Sequence, residues 1–465
     1  MLFNSYFFLF AFLPIVLLLW WTPQIRLSGR LGLLILASYL FYGWWDYRFV
    51  SLLMVSTLVD YVAGKRLFES QTQTARRFYL LVSMFSNLGL LAFFKYCGFF
   101  ASSWNTIVDW LRMGGTMPIP EIILPVGISF YTFQTMSYSI DIYRHQAKPA
   151  CSLLHFAAYV SLFPQLIAGP IVRYSDVEEQ LRSIAKSPNW DLFASGIFFF
   201  VCGMAQKILL ADSIAAKVNP LWADTANLQL ITAWYATLGY TCQLYFDFCG
   251  YSNMAVGLGY MLGFRFPQNF NSPYKSANIS EFWRRWHMTL SFWLRDYLFI
   301  PLGGSRHGHL FTLRNLMIVM LLGGLWHGAG WTFVLWGAYH GLLLVVHNVF
   351  RTTHFRLPTW ISIPTTFLAV LVGWVLFRAT SLNEAITVYA SLVGQRGIEV
   401  HVWEAPGGWF AWGLLSVLLA IVFAMPNLWQ IRFRPSLPYL MALAVCFVAC
   451  VLRFDAESPF LYFQF

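Results

Sequence analysis

The chain has 465 residues, 58% of them hydrophobic and 11% charged, with a formal net charge of +10 and a mean hydropathy of +0.59. Soluble domains carry about 25% charged residues, so this composition cannot coat a water-facing globule and excludes an ordinary soluble enzyme. Nucleic-acid binding is excluded as well, because the Lys and Arg residues form no separate soluble basic domain.

The first elements follow from uncharged runs. Residues 7–21, 31–45, 192–204, 366–377 and 409–425 contain no Asp, Glu, Lys or Arg. With snorkelling flanks, several reach the ~18 residues needed to cross ~30 Å of hydrocarbon. The predicted fold class is all-α, a polytopic integral membrane protein. The short alternating segments of a membrane β-barrel are absent. The first run lacks a basic n-region and a small-residue cleavage site before Arg26, so it reads as a retained helix. Helices are expected near 6–22, 29–45, 49–64 and 78–97, followed by a polar outer loop over 98–121. Arg26 and Arg30, then Lys65, Arg66, Arg76 and Arg77, mark the inner side, which places the N-terminus outside.

The middle of the chain is less regular. Residues 124–141 are rich in hydroxyls for a lipid-facing helix. Residues 162–176 are interrupted by Pro164, Gly169 and Pro170. Broken backbone at membrane depth survives only inside protein or along a cavity, so 162–176 reads either as a broken or re-entrant element near a solvated vestibule or as an ordinary loop at the membrane surface. Spans follow at 192–210 and 231–262. Asp247 lies inside the second, and an intramembrane carboxylate is a functional-site candidate by default. Its simpler role is to hold a neighbouring helix.

Residues 278–304, NISEFWRRWHMTLSFWLRDYLFIPLGG, read as a helix starting near Ser280 and Glu281, with Glu281 and Arg285 paired at i,i+4. Its aromatics and arginines suit the cytoplasmic interface or the protein interior. Arg284, Arg285 and Arg295 are candidates to meet a phosphate-bearing donor from the cytoplasm, although topology alone also places arginines there. Further spans near 313–326, 331–349, 361–378, 409–425 and 438–453 bring the expected total to about eleven or twelve. The seven cysteines form no CxxC pair and no metal-ligand spacing, so no metal site is expected.

Two segments carry a family likeness. FWRRWHMTLSFWLRDYLFIPLGG and GGLWHGAGWTFVLWGAYHG together resemble the membrane-bound O-acyltransferases, and most nearly the bacterial branch that includes the alginate O-acetylation membrane protein. The opening MLFNSYFFLFAFLP and NFNSPYKSANISEFWRRWH share this likeness, which extends over the whole chain. It implies one membrane domain over 1–465: N-terminal helices to 97, a catalytic core over 122–350, C-terminal helices over 361–457 and an aromatic tail over 458–465. It also implies that His327 is the catalytic histidine, with Trp326 beside it, and that His287 is a second recurrent histidine. His340 lies in the same block. Trp326 and Asp247 join the arginines as candidate substrate or donor contacts.

O-acylation requires a hydroxyl to lose its proton as it attacks a thioester. A neutral imidazole, with an unperturbed pKa near 6.5, suits that task. The glycines flanking His327 would admit substrate, or else let helices approach closely. The tail SPFLYFQF resembles an aromatic-x-Tyr-x-x-Phe motif of this branch, in which the tyrosine is proposed to carry the acyl group. Here that residue is Tyr462, and its simpler role is an interfacial anchor. The resemblance implies no bound cofactor, with acetyl-CoA or another acetyl thioester as donor. Its implied partners are the lipid bilayer, a periplasmic acetyltransferase that accepts the acyl group and a polysaccharide biosynthesis complex. The implied location is a bacterial inner membrane with both termini periplasmic. D-alanyl transfer to teichoic acid, and a non-enzymatic transporter or scaffold, are the alternatives.

Overall fold

Where the chain leaves regular helix inside the protein, side-chain hydrogen bonds decide which irregular segments can be buried. The computed structural model describes residues 1–353, 356–399, 408–454 and 460–461. These are helices and connecting segments, with no strand among the described residues. Among the described residues, five helices are long and apolar enough to cross a membrane: Gln73–Trp110, Trp190–Ala223, His309–His327, Trp331–Thr353 and Thr359–Arg378. Phe8–Trp20, Leu27–Gly43, Gly408–Ala424 and Leu437–Val451 are shorter apolar helices. The 32-residue helix Leu230–Met261 is about 48 Å long at ~1.5 Å per residue. It is buried without a break over 239–259, so its polar residues meet protein.

The helices group into two compact units, Met1–Phe200 with Met254–Pro267, and Val201–Asn253 with Gln268–Phe465. In the first, the hydroxyl-rich segment forms Ile128–Tyr143, and only Ile140 and Tyr143 escape full burial. Two of its hydroxyls, Thr135 and Ser139, join a polar network. Asn87 Nδ2 donates to both Asp60 carboxylate oxygens at 2.9 and 2.8 Å. Ser83 Oγ lies 2.8 Å from Ser139 Oγ, and Thr135 Oγ1 donates to Asn87 Oδ1 at 2.8 Å. A buried carboxylate is tolerable when its lone pairs are used in this way.

The interrupted segment 162–176 is a buried broken element, not a surface loop. A four-residue helix, Phe163–Leu166, leads into non-helical backbone that is buried through Val172. Ser38 Oγ accepts from Phe163 N at 3.1 Å, Gln165 Nε2 donates to Tyr159 O at 2.8 Å and Tyr159 OH donates to Val172 O at 3.0 Å. Side chains thus replace the missing helical partners.

Two expectations need correction. Residues 98–121 are not all loop, because the fourth helix passes through a π-turn at Ala92–Tyr96 and continues as Cys97–Trp110. Two of its hydroxyls bond back along the helix, Ser102 Oγ to Phe99 O and Thr106 Oγ1 to Ser102 O, which lowers the cost of placing them there. The segment 278–304 is not one helix. It divides into Ile279–Arg285 and Met288–Leu294, with His287 at the break.

In the second unit, His309–His327 and Trp331–Phe350 are joined by three residues and pack closely. A Cβ on Gly324 would lie 2.3 Å from Phe333 O, and one on Gly337 would lie 2.4 Å from Met320 O. Only glycine permits this backbone approach, a familiar device between membrane helices.

Candidate active site

His327 is the last residue of its helix and is buried. Three rings meet its imidazole edge-on: Trp326 at 5.0 Å, Trp336 at 5.0 Å and Phe377 at 5.3 Å between centroids. Gly328 then turns the chain with extended backbone, φ −157°, which any residue can adopt. Its need for glycine is steric and internal: an added Cβ would sit 2.1 Å from the Phe333 ring. Phe333 packs on Phe377 at 5.2 Å, so the glycine protects the wall of the histidine's own cage. The sequence had offered substrate approach or helix packing as its reason.

His287 owes its position to the helix break. Its φ of 43° and ψ of 54° are left-handed, a conformation that costs a non-glycine residue about 1–2 kcal/mol. Asn269 holds it there. Met288 N donates to Asn269 O at 2.9 Å, while Asn269 Oδ1 accepts from Thr289 N at 3.3 Å and Thr289 Oγ1 at 2.9 Å. His287 Nδ1 is 3.1 Å from the same oxygen. The Thr289 N–H fixes which end of the amide is oxygen, so Nδ1 of His287 carries the proton and donates. In the neutral ring the lone pair is then on Nε2. His287 lies outside the five apolar spans, and burial pushes its pKa down to about 3, which keeps the ring neutral.

The two histidines share a neighbour. Trp326, buried, lies 6.0 Å from the His287 ring and 5.0 Å from that of His327. Trp336 extends the series to His340 at 4.8 Å. The structure therefore brings His287, Trp326 and His327 into one aromatic cluster. Asn269, Trp336, Phe333 and Phe377 were not singled out in the sequence. Asn269 carried no local signal, because its partners are 18 and 20 residues further on.

The arginines sit differently. Arg284 Nη1 donates to Ser280 Oγ at 3.1 Å. Arg285 pairs with Glu281 at 2.7 Å, the expected i,i+4 contact, and Arg295 pairs with Asp296 at 2.6 Å. Asp247 is buried, with Oδ1 2.7 Å from Lys207 Nζ and Oδ2 accepting the Leu461 N–H at 3.0 Å. Tyr462 lies outside the described residues. No group of three or more His, Cys, Asp or Glu side chains among the described residues is placed to hold a metal ion.

Comparison with known proteins gives the site its context. The sequence model described as the membrane-bound O-acyltransferase family matches residues 45–384, which include both histidine segments. A protein of Azotobacter vinelandii named probable alginate O-acetylase AlgI is 39% identical over the whole of both chains. One of the same name from Pseudomonas aeruginosa is 43% identical over 84% of this chain and 75% of its own. A Helicobacter pylori protein named peptidoglycan O-acetyltransferase is 38% identical over 86% of this chain and 81% of its own.

Proposed function

The chain belongs to the membrane-bound O-acyltransferase family and is an acyltransferase, and from that premise we propose that it carries acetyl groups across a bacterial inner membrane for O-acetylation of an exopolysaccharide such as alginate. The donor is a cytoplasmic acetyl thioester, acetyl-CoA or an acylated carrier. His327 is the general base. Its imidazole removes the proton of an acceptor hydroxyl as that oxygen attacks the thioester carbonyl. The new C–O bond replaces the C–S bond, and the thiolate leaves with the proton returned by the imidazolium. The acceptor is Tyr462, which relays the acetyl group to a periplasmic acetyltransferase within a polysaccharide biosynthesis complex. Both termini face the periplasm in this reading.

The observation that carries it is the position of His327: buried at a helix end, caged by Trp326, Trp336 and Phe377, in a chain that aligns end to end with a relative named for alginate O-acetylation. The test replaces His327 with Ala in cells that make the polymer, with membrane abundance matched. Polymer O-acetylation should fall by about 10²-fold or more, the range of general acid–base catalysis. Normal acetylation would sink the proposal. Tyr462→Phe removes one oxygen and keeps the ring. Loss of acetyl transfer is expected, and full activity would assign the acceptor hydroxyl to an external group. Labelled D-alanine, in place of acetyl, appearing on the acceptor would instead favour teichoic-acid chemistry.

A further inference from the structure

The described tail is not at the surface. Phe460 and Leu461 are both buried, and the Phe460 ring lies 4.7 Å from that of Tyr251 and 5.5 Å from that of Phe248. Phe248 in turn meets the His287 ring edge-on at 4.7 Å. One aromatic ring, that of Phe248, therefore lies between Phe460 and His287. The polar contact is equally specific. Asp247 divides its oxygens, one to Lys207 Nζ and the other to the amide of Leu461. Lys207 is shared with Asp212, also at 2.7 Å.

This arrangement has a cause in the helices. Lys207 belongs to a π-turn, Gln206–Ala211, that follows Trp190–Ala205. Gly250 brings the two backbones together, since a Cβ there would sit 2.9 Å from Lys207 N and 2.6 Å from Gly203 O. Lys207 and Asp247 are thus pressed together in the interior, with 3% of each side chain exposed. A buried ion pair tolerates desolvation only if its remaining lone pairs are used. Two carboxylates share one ammonium here, and the Leu461 N–H supplies a further donor to the more buried one. A backbone amide 214 residues away has no reason to reach that depth unless the tail is seated.

We infer that the Lys207–Asp247 pair, walled by Phe248 and Tyr251, is the seat of the chain's own C-terminal segment, and that it fixes the point from which residue 462 sets out. Asp247 and Lys207 are positioning residues. The purpose of the seat rests on the relay reading of Tyr462, but the docking itself does not.

The test uses the full-length protein in membranes with Leu461→Cys as a probe, which preserves the backbone amide. Labelling by a maleimide polymer is measured against the same chain without the probe. In the otherwise native chain the probe should react slowly. Asp247→Ala should speed it about tenfold or more, as local opening of the tail becomes easier. Asp247→Asn instead retains an acceptor for the Leu461 N–H and leaves Lys207 paired with Asp212, so labelling should return to slow. A merely structural role for the ion pair predicts no such rescue. Phe460→Ala leaves the ion pair whole and should also speed labelling, which keeps the test open if Asp247→Ala does not fold. Unchanged labelling in a folded Asp247→Ala protein, or in Phe460→Ala, would overturn the seat and leave the acetyl-transfer proposal standing. Faster labelling in these variants, combined with full activity of Tyr462→Phe, would keep the seat and remove the relay.

Discussion

One amide oxygen, Asn269 Oδ1, receives three donors: Thr289 N, Thr289 Oγ1 and His287 Nδ1. It stabilises a left-handed residue and selects a tautomer together, which makes it the residue through which His287 can be probed without touching the ring. Asn269→Asp keeps an acceptor for all three donors and adds a carboxylate beside Nδ1. A neighbouring anion favours the imidazolium and raises a histidine pKa. In the native protein burial holds that pKa near 3, so His287 stays neutral across about pH 5 to 8 and adds no step to the activity profile there. In the variant protonation begins at higher pH and removes the Nε2 lone pair as pH falls. If that lone pair serves the reaction, the acid limb of the acyl-transfer profile should move upward. A profile that superimposes on the native one, in a folded variant, would leave His287 with only a structural part. Asn269→Ala instead strands three donors, and the loss of one buried acceptor costs about 1–3 kcal/mol, to be read as a lowered Tm.

At the scale of the helices, the glycine-rich stretch around His327 separates two kinds of requirement. Gly324 and Gly337 serve close contact between backbones, whereas Gly328 makes room for the Phe333 ring. Gly328→Ala should therefore reduce activity by pushing Phe333 against Phe377 and so against the His327 cage. Combining it with Phe333→Leu, which removes the obstructing ring, should restore much of the loss. If the glycine served only to admit substrate, the second change would bring no recovery. Gly330→Ala is the control, because its Cβ would meet nothing closer than 3.6 Å, and it should behave as the native chain. The sequence made the helices here legible through length and apolarity, it made His327 visible as a titratable group in an apolar run, and it marked His287 through the family likeness of the segment around Arg284-Arg285-Trp286-His287. It could not show the break at His287, because Trp286-His287-Met288 contains neither glycine nor proline. The partner that stabilises the break lies in a preceding non-helical stretch. Nor could it separate the roles of the glycines, since those depend on which ring stands opposite.

Over the whole molecule, the same limit applies to charge. Loop arginines read most simply as markers of the inner side, yet Arg30 and Arg76 are buried and bind backbone carbonyls. Arg76 donates to Leu67 O, Ile142 O and Tyr143 O at 3.2, 3.3 and 2.8 Å, and Arg30 donates to Thr22, Ala185 and Lys186 carbonyls. Arg76 thus serves carbonyls in the last turns of Arg48–Glu69 and Ile128–Tyr143, and Arg30 serves carbonyls in connecting segments, so both are structural as well as topological. The orientation argument therefore rests more heavily on the exposed residues Lys65, Arg66 and Arg77. A direct test compares two ends of one helix. Gln71 is exposed just before Gln73–Trp110, and Gly114 is exposed just after it, with nothing near its ideal Cβ. With the N-terminus outside, Gly114→Cys should react with a membrane-impermeant maleimide in intact spheroplasts. Gln71→Cys should react only after lysis. The reverse pattern would invert this helix and, with it, the side from which a thioester donor is proposed to enter.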